Sequence, residues 1–316
     1  MIQLIGHLTS KGQPMAIGKL FHLIHLTGDL PALEAWYDEV FQVRRGFLDH
    51  HYMAGEKRDA SLVLLGDTVL EPLAPAFRVA GWETMPLGRF HRRFGTHWHS
   101  VAWYTDDAGE IWQRCTDHGI RVFVEGGRLT ETRPAPGSAI MTHPKDTITQ
   151  LEFFNPAGTM DRKDPRLNGS GYDSRWWLEN HPVQTPGLAY TTILTRDLER
   201  ATHVYTGILG GTLLHKDSSE LTGTDDVYVQ LGDTVVQLST PNTDSTIAAA
   251  DLSANGEIHH AAAFRVQDLD ATKEYFDSKE IATITRDDHT LITDPATTQG
   301  VPFRWTTWDV PGGPRS

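Results

Sequence analysis

One short phrase occurs twice in this chain of 316 residues. LGDTVLEP spans residues 65–72, and LGDTVVQL spans residues 231–238. Internal repetition constrains a fold strongly, because a chain that repeats a unit builds copies of one substructure. The two phrases therefore predict the same turn and strand in both halves of the chain.

The repeated phrase closes a longer unit. An apolar strand, an Asp-Leu pair and a helical pattern occur at residues 21–42 and again at 189–210, and Asp29 and Asp197 are placed to cap the two helices. Residues 99–123 and 261–285 repeat the order strand, helix, strand. We therefore predict four units of roughly 50–60 residues, in which units one and three match best, as do units two and four.

Composition limits the class of protein. A hydrophobic content of 39% with 22% charged residues predicts a folded globular chain. The net charge of −13 argues against a nucleic-acid partner. The single cysteine, Cys115, cannot form an internal disulfide, and the N-terminal residues lack the apolar core of a signal peptide. No run of eighteen apolar residues occurs, so we expect a cytoplasmic protein without a membrane span.

The four units, the histidine seven residues before the Asp-Leu pair and the closing GDTVLE strand resemble the vicinal oxygen chelate superfamily. That superfamily includes glyoxalase I, methylmalonyl-CoA epimerase, type I extradiol dioxygenases and bleomycin-resistance proteins. The resemblance covers almost the whole chain after residue 18. It implies an α+β fold of two tandem vicinal-oxygen-chelate domains, each a pair of βαβββ modules that curl into a metal-binding cleft.

The resemblance also implies boundaries. We expect an N-terminal extension (1–18), a metal-bearing domain (19–154, modules 19–76 and 97–154), a Pro- and Gly-rich linker (155–186) and a degenerate, ligand-free domain (187–308, modules 187–241 and 257–308). Within the linker, Trp176 and Trp177 are expected to pack against a domain.

Carried over to this chain, the family's ligand positions fall on His22, Glu71, His99 and Glu152. Each residue alone is compatible with an ordinary structural role. Their coincidence at corresponding places in two modules favours a metal site, since imidazole and carboxylate suit divalent transition metals. The expected cofactor is one such ion, and Ni, Co, Zn, Mn and Fe all stay open.

The second half lacks this set. Its matching positions are Tyr190, Gln237, Ala261 (or His260 in a register one residue off) and Phe303. These side chains cannot make a comparable cage, so the first half is expected to be the working copy.

Two neighbours are candidates for the pocket wall. His97 and Trp103 lie two and four residues from His99, and the alternation of side chains along a strand predicts that all three share one face. His25, three residues after His22, is expected to face the other way. Cys115 is expected to be buried and inert.

The resemblance implies a metal-dependent isomerase, epimerase or glyoxalase-type lyase. Its substrate would be a small molecule that chelates the metal through adjacent oxygens, and a proton would move next to a carbonyl. Glu152 is the expected base, with Glu71 as the alternate. The segment THPKDTITQLEFF, which leads into Glu152, resembles the closing segment of methylmalonyl-CoA epimerases.

Two other classes stay open. One is an Fe(II)-dependent extradiol ring-cleaving dioxygenase that uses His22, His99 and Glu152, and the other is a metal-free small-molecule binding or resistance protein. Motifs for dinucleotide, P-loop or nucleophile-elbow chemistry are missing from the sequence. The sequence is compatible with a monomer and with a homodimer.

Overall fold

The computed structural model describes residues 17–124, 127–135, 137–156, 164–168 and 171–314. Apart from its last two residues, the expected N-terminal extension lies outside the described residues. Within the described part, no helix is long and apolar enough to cross a membrane.

The first half forms a nine-stranded sheet in the order β2-β3-β4-β1-β5-β9-β8-β6-β7. Its strands are β1 (Leu20–Leu26), β2 (Arg44–Met53), β3 (Arg58–Leu65), β4 (Thr68–Pro75), β5 (His97–Tyr104), β6 (Val122–Val124), β7 (Arg128–Leu129), β8 (Ile140–Thr142) and β9 (Gln150–Phe154). The opening strands β1 and β5 pair antiparallel at the centre, and each pairs in parallel with the closing strand of its own module.

The second half forms an eight-stranded sheet in the order β11-β12-β13-β10-β14-β17-β16-β15. Its strands are β10 (Leu188–Leu194), β11 (Thr212–Ser219), β12 (Thr224–Leu231), β13 (Thr234–Pro241), β14 (Ile258–Arg265), β15 (Thr283–Arg286), β16 (Thr290–Thr293) and β17 (Phe303–Thr306). The opening strands again lie at the centre and the closing strands flank them. The predicted fold class, two tandem domains of paired βαβββ modules, is confirmed.

Helices connect the strands and cover the sheets. They are α1 (Leu30–Phe41), α2 (Pro86–Phe94), α3 (Ala108–Asp117), α4 (Pro144–Thr147), α5 (Trp176–Asn180), α6 (Leu198–His203), α7 (Ile247–Asn255) and α8 (Leu269–Ser278), with short turns at Trp82–Thr84, Val204–Ile208 and Pro295–Thr297. The crossover helix of each module begins at an aspartate whose side chain accepts a backbone N–H: Asp29, Asp107, Asp197 and Asp268. The predicted caps at Asp29 and Asp197 are therefore confirmed.

The repeated phrase forms the same two-residue hairpin in each half. Gly66 and Gly232 adopt positive φ angles of 58° and 63°, which glycine tolerates best. Each following aspartate donates its backbone N–H across to the other half: Asp67 to the carbonyl of Pro186 at 2.7 Å, and Asp233 to that of Gly18 at 3.2 Å. The repeated turns thus hold the two halves together reciprocally.

One hydrophobic core runs through both halves. Phe41 of α1 stacks on Trp305 of β17 with ring centroids 5.4 Å apart, and Trp98 of β5 packs edge-on against Phe303 at 5.3 Å. Trp177, in the expected linker, is fully buried and donates its indole N–H to the carbonyl of Phe41 at 2.7 Å. The two sheets are therefore fixed against each other, and the connecting segment packs against the body as expected.

Candidate metal and active site

The pairing of strands brings the four predicted ligand positions to the middle of the first sheet. His22 lies on β1, Glu71 on β4, His99 on β5 and Glu152 on β9. These four strands are consecutive neighbours in the order β4-β1-β5-β9. All four residues are buried, with relative exposures of 2, 3, 7 and 6% in that order of numbering.

Both carboxylates face His22. Its Nε2 lies 3.2 Å from Oε2 of Glu71 and 3.7 Å from Oε2 of Glu152. Neither ring nitrogen of His22 has a hydrogen-bond partner among the described residues. Nε2 is thus in ion-pair contact with Glu71 without hydrogen-bond geometry, and Nδ1 has no polar partner among the described residues; since buried polar atoms are nearly always satisfied, this ring indicates a ligand site.

Glu152 is held at its other oxygen. Ser100 donates to Oε1 at 2.8 Å, and the Gln150 amide donates to the same atom at 2.8 Å. Burial by itself raises the pKa of Glu152, but His22, His99 and Ser100 outweigh burial and lower the pKa to about 2. The carboxylate is therefore ionised at neutral pH, as a metal ligand must be, with Oε2 directed at His22.

Glu71 has a different partner. Arg58 of β3 donates from Nη1 to Oε1 of Glu71 at 2.5 Å, and both side chains are buried. Burial opposes the guanidinium charge, but Glu71 and Glu56 outweigh it and raise the pKa of Arg58. Arg58 therefore neutralises Glu71, while Oε2 of Glu71 stays directed at His22.

His99 completes the set chemically. Its Nδ1 lies 3.1 Å from Oγ of Ser100, and burial lowers its pKa to about 4, against the opposing effect of Glu152 and Glu71. The ring is therefore neutral at pH 7, the form that binds metals. Among the described residues His99 makes no direct hydrogen bond to either glutamate, so Ser100 connects His99 to Glu152.

The donor atoms are of the types that bind a divalent transition metal, although the described side chains are not arranged in a complete coordination geometry. Two neutral or neutralisable imidazoles and two carboxylates form a common donor set for such ions. In this conformation, however, the described residues contain no group of three or more His, Cys, Asp or Glu side chains already arranged to hold an ion. The convergence of the two carboxylates on the His22 ring supports a metal site. The Arg58–Glu71 ion pair opposes it, because the pair engages one carboxylate oxygen of Glu71.

Helix α2 covers this site. Leu87 and Phe90 pack against a buried cluster of Ile24, Leu26 and Leu73. The Phe90 ring lies edge-on to His99, with centroids 4.5 Å apart. Phe90 therefore covers the His99 ring on the side that faces α2.

The prediction that Trp103 lines the cleft is wrong. Trp103 is fully buried and stacks on Phe153, on the opposite face of the sheet from Glu152. The cause is an irregularity in β5: the pairing shifts by one residue between Trp98 and Val101, opposite β1. Such a bulge reverses the alternation of side chains, so a residue four positions after His99 faces the core.

His97 does not join the ligand group either. It contacts the second half, where its Nε2 lies 3.2 Å from Oδ1 of Asp251 on α7. By contrast His25 lies in the core as expected, with Nδ1 2.9 Å from the Tyr37 hydroxyl. Cys115 is a buried free thiol whose pKa burial raises to about 12, in agreement with the prediction that it is inert.

The strand register corrects the matching positions in the second half. Glu152 pairs with Ala102 in β5, and Arg304, not Phe303, pairs with Ala263 at the same place in β14. Residues corresponding to His22 and Glu71 are Tyr190 and Gln237, as expected. The β10–β14 pairing shifts between His259 and Ala261, so His260 takes the place of His99. The corresponding set is Tyr190, Gln237, His260 and Arg304.

Sequence reasoning missed four residues around the first site. Two had a local signal: Ser100 adjoins His99, and Gln150 lies two residues before Glu152 on the same strand face. Arg58 and Phe90 had none, because they reach the site through cross-strand pairing and through helix packing.

Similarity to a known protein family falls within the second half of the chain. Residues 187–302 match the family described as Glyoxalase/Bleomycin resistance protein/Dioxygenase superfamily. The matched region is thus the half that lacks the predicted ligand set. No curated protein sequence matches the chain.

Solved structures resemble the chain in fold. A mutant of 4-hydroxymandelate synthase from Streptomyces coelicolor is 12% identical, with a TM-score of 0.63, and the match covers 96% of this chain and 95% of that one. Methylmalonyl-CoA epimerase from Mycobacterium tuberculosis is 24% identical over 39% of this chain and 87% of that one, with a TM-score of 0.36. The first similarity extends over both halves and supports the two-domain architecture.

Proposed function

We propose that the chain is a member of the Glyoxalase/Bleomycin resistance protein/Dioxygenase superfamily, which residues 187–302 match, and that its N-terminal half is a metal-dependent enzyme that moves a proton next to a carbonyl group. The substrate is a small molecule with adjacent oxygens, and the reaction is an isomerisation, an epimerisation or a glyoxalase-type lyase step. The observation that carries the proposal is the convergence of Glu71 and Glu152 on the unsatisfied ring of His22.

Four residues would hold the ion: His22, Glu71, His99 and Glu152. When bound, a divalent ion supplies Lewis acidity, which polarises a substrate carbonyl and acidifies the neighbouring C–H bond. Nickel, cobalt, zinc, manganese and iron are all compatible with this donor set.

Glu152 is the proposed base. Ser100 and Gln150 fix Oε1, which leaves Oε2 as the atom that accepts the proton. A carboxylate whose pKa is about 2 is a weak base, so it removes a proton only from an acidified carbon. Glu71 is the less suitable base, because Arg58 neutralises its charge and restrains its rotation.

The burial of the site limits its contact with water. With His22, Glu71, His99 and Glu152 all nearly inaccessible and Phe90 against His99, the reacting groups lie in a region of low dielectric. Electrostatic interactions are stronger there than in water. Closure of α2 would also keep bulk water from quenching a carbanion-like species.

The proposal is tested by solvent exchange. The purified protein is incubated in D2O with a panel of 2-hydroxy- and 2-oxo-acyl compounds, and deuterium incorporation next to the carbonyl is followed by NMR. Glu152→Gln is expected to lower the exchange rate at least about 100-fold, the usual contribution of a general base. Glu71→Gln is expected to lower the exchange rate less. Glu110→Gln, which changes a half-exposed glutamate on α3, is expected to leave the exchange rate unchanged. Exchange that survives in Glu152→Gln contradicts the assigned base.

One observation favours a second candidate function. The Arg58–Glu71 ion pair leaves His22, His99 and Glu152 as a set of two histidines and one carboxylate, which is the ligand set of non-haem Fe(II) oxygenases. The reaction would then be extradiol ring cleavage. Iron that stays bound in Glu71→Gln, together with oxygen uptake on addition of catechol, would support this function over proton transfer.

A further inference from the structure

A cavity of about 230 Å³ lies in the C-terminal half, outside the site described above. Its polar lining includes Thr222, Thr246, Thr285, His260 and Arg304. A cavity of roughly 150 Å³ admits benzene, so this one suits a ligand of roughly six to ten non-hydrogen atoms. Two of the lining residues, His260 and Arg304, are those that replace His99 and Glu152 in the second half.

Arg304 brings a buried positive charge to the cavity. It is 2% exposed, and its Nη1 donates to Oε1 of Gln237 at 2.8 Å. Within the described part of the chain, no acidic side chain lies within 4.0 Å of the guanidinium. The buried carboxyl of Asp226 accepts a hydrogen bond from Ser239 and interacts electrostatically with Arg304; burial raises the pKa of Asp226, against the opposing effect of Arg304.

A buried guanidinium that no carboxylate of the described residues contacts directly is only partly compensated, which favours an additional anion. In the first half the corresponding position carries Glu152, which faces His22. A guanidinium in place of a carboxylate disfavours a cation and favours an anion in the second cleft. Arg304 favours carboxylates in particular, since its planar donors match two oxygens.

His260 adds a directional contact. Its Nδ1 donates to Oδ2 of Asp251 at 2.5 Å, which fixes the tautomer and leaves the lone pair on Nε2. No described residue donates to that Nε2. The ring is 2% exposed and lines the cavity, so Nε2 is available to accept a hydrogen bond from a ligand hydroxyl.

The amino end of α7 also borders the cavity. Thr246 caps this nine-residue helix by accepting the N–H of Ala249, while Ile247 and Ala248 line the cavity. The first backbone N–H groups of a helix have no partner within the helix and favour negative charge. This helix end therefore supplements Arg304.

We propose that the C-terminal cleft is a second binding site, which takes a small hydroxy acid with its carboxylate on Arg304 and its hydroxyl on Nε2 of His260. The site is independent of the chemistry proposed for the N-terminal half. It assigns a binding role to the half of the chain whose sequence lacks the metal ligands.

Calorimetric titration of the full-length protein with three probes of similar size tests the proposal. 2-Hydroxybutyrate carries both groups, butyrate carries only the carboxylate, and 2-hydroxybutanamide carries only the hydroxyl. The expected order of affinity is 2-hydroxybutyrate, then butyrate, then the amide. Equal affinity for the acid and the amide would overturn the proposal.

Variants locate the binding. Arg304→Gln is expected to lower the affinity for 2-hydroxybutyrate at least about 30-fold, as the loss of one partner of a buried charge pair does. His260→Ala is expected to weaken 2-hydroxybutyrate about threefold to tenfold and butyrate hardly at all. Arg200→Gln, which removes a half-exposed arginine of the same half, serves as the matched control and leaves both affinities unchanged.

Chelation in the first cleft is the competing explanation, because a 2-hydroxy acid has adjacent oxygens. Binding that is lost in Glu152→Gln and kept in Arg304→Gln assigns the ligand to the first cleft and overturns the proposal. If Arg304→Gln does not fold, Arg304→Lys decides: weaker binding supports the proposal, and unchanged binding refutes it. Failure of the proton-exchange experiment leaves this result unaffected, since the proposed binding depends on Arg304 and His260 and not on Glu152.

Discussion

Glu152 and Arg304 occupy corresponding positions in the two halves of the chain and carry opposite charges. Each lies on the closing strand of its half and pairs in parallel with an alanine of the neighbouring opening strand, Ala102 or Ala263. One cleft therefore presents carboxylates to His22, and the other presents a guanidinium to an open cavity. The two halves share one strand arrangement and differ in the electrostatics of their clefts.

The segment between the halves is predicted to be essential for stability through Arg166. Its guanidinium is fully buried, pairs with Asp164 at 2.7 Å and donates to the carbonyls of Phe21 and Asp67. Arg166→Met leaves the buried carboxylate of Asp164 without its counterion, so the free energy of unfolding is expected to fall by about 3–5 kcal/mol. Urea denaturation measures it.

Arg175 is the matched control for this change. It lies in the same connecting segment and pairs with Asp173, but both side chains are mostly exposed. Arg175→Met is expected to change the free energy of unfolding by less than about 0.5 kcal/mol. Equal effects of the two substitutions would mean that the buried pair does not anchor the segment.

A buried histidine is predicted to make the fold sensitive to acid. His25 donates from Nε2 to the carbonyl of Gln299 at 3.1 Å and accepts the Tyr37 hydroxyl at Nδ1, and burial lowers its pKa to about 3. Above pH 6.5 the folded and unfolded chains both hold this ring neutral. As the pH falls towards 3, only the unfolded chain takes up the proton, so stability is lost.

The His25 contribution is measured as a difference between proteins. Between pH 7 and pH 5 the stability lost through His25 is about 2 kcal/mol. The loss runs over the roughly 1.5 pH units below 6.5, at about 1.4 kcal/mol per unit. His25→Gln is therefore expected to lose about 2 kcal/mol less than the wild type between these pH values. The exposed His118→Gln keeps the wild-type slope, and an unchanged slope in His25→Gln would contradict the assignment.

The sequence predicted what depends on local pattern. The repeated hairpin and the aspartate caps follow from spacing and strand alternation, whereas the candidate positions His22 and Glu71 are implied by the family resemblance. Trp103 was misplaced because a bulge in β5 adds one residue to the strand and reverses every later side chain. A single sequence contains no signal for such an insertion.

Other features depend on contacts between distant segments. His97 pairs with Asp251, 154 residues away, and Arg304 replaces Phe303 as the counterpart of Glu152 only in the observed register. The position of Phe90 over His99 depends on where α2 packs. Strand register and packing between halves are global properties, so periodicity within a short window does not reveal them.

Helix α2 is predicted to control access to the first cleft. Phe90→Ala removes the ring that lies against His99, so a chelator such as EDTA is expected to strip bound metal several times faster than from the wild type. Phe94→Ala is the control, because Phe94 lies on the same helix and stacks on Phe90, yet has no ring contact with His99 among the described residues. Equal rates in both variants would show that α2 does not cover the route.

The central claim is that His22, Glu71, His99 and Glu152 bind a metal ion. The most direct measurement is metal content by inductively coupled plasma mass spectrometry on untagged protein purified without chelator. We predict about one divalent transition-metal ion per chain in the wild type and in Arg304→Gln, and at least a tenfold loss in folded His22→Ala and Glu152→Gln. A wild-type protein that holds no such ion, even after reconstitution with nickel, cobalt, zinc, manganese and iron in turn, would contradict the claim.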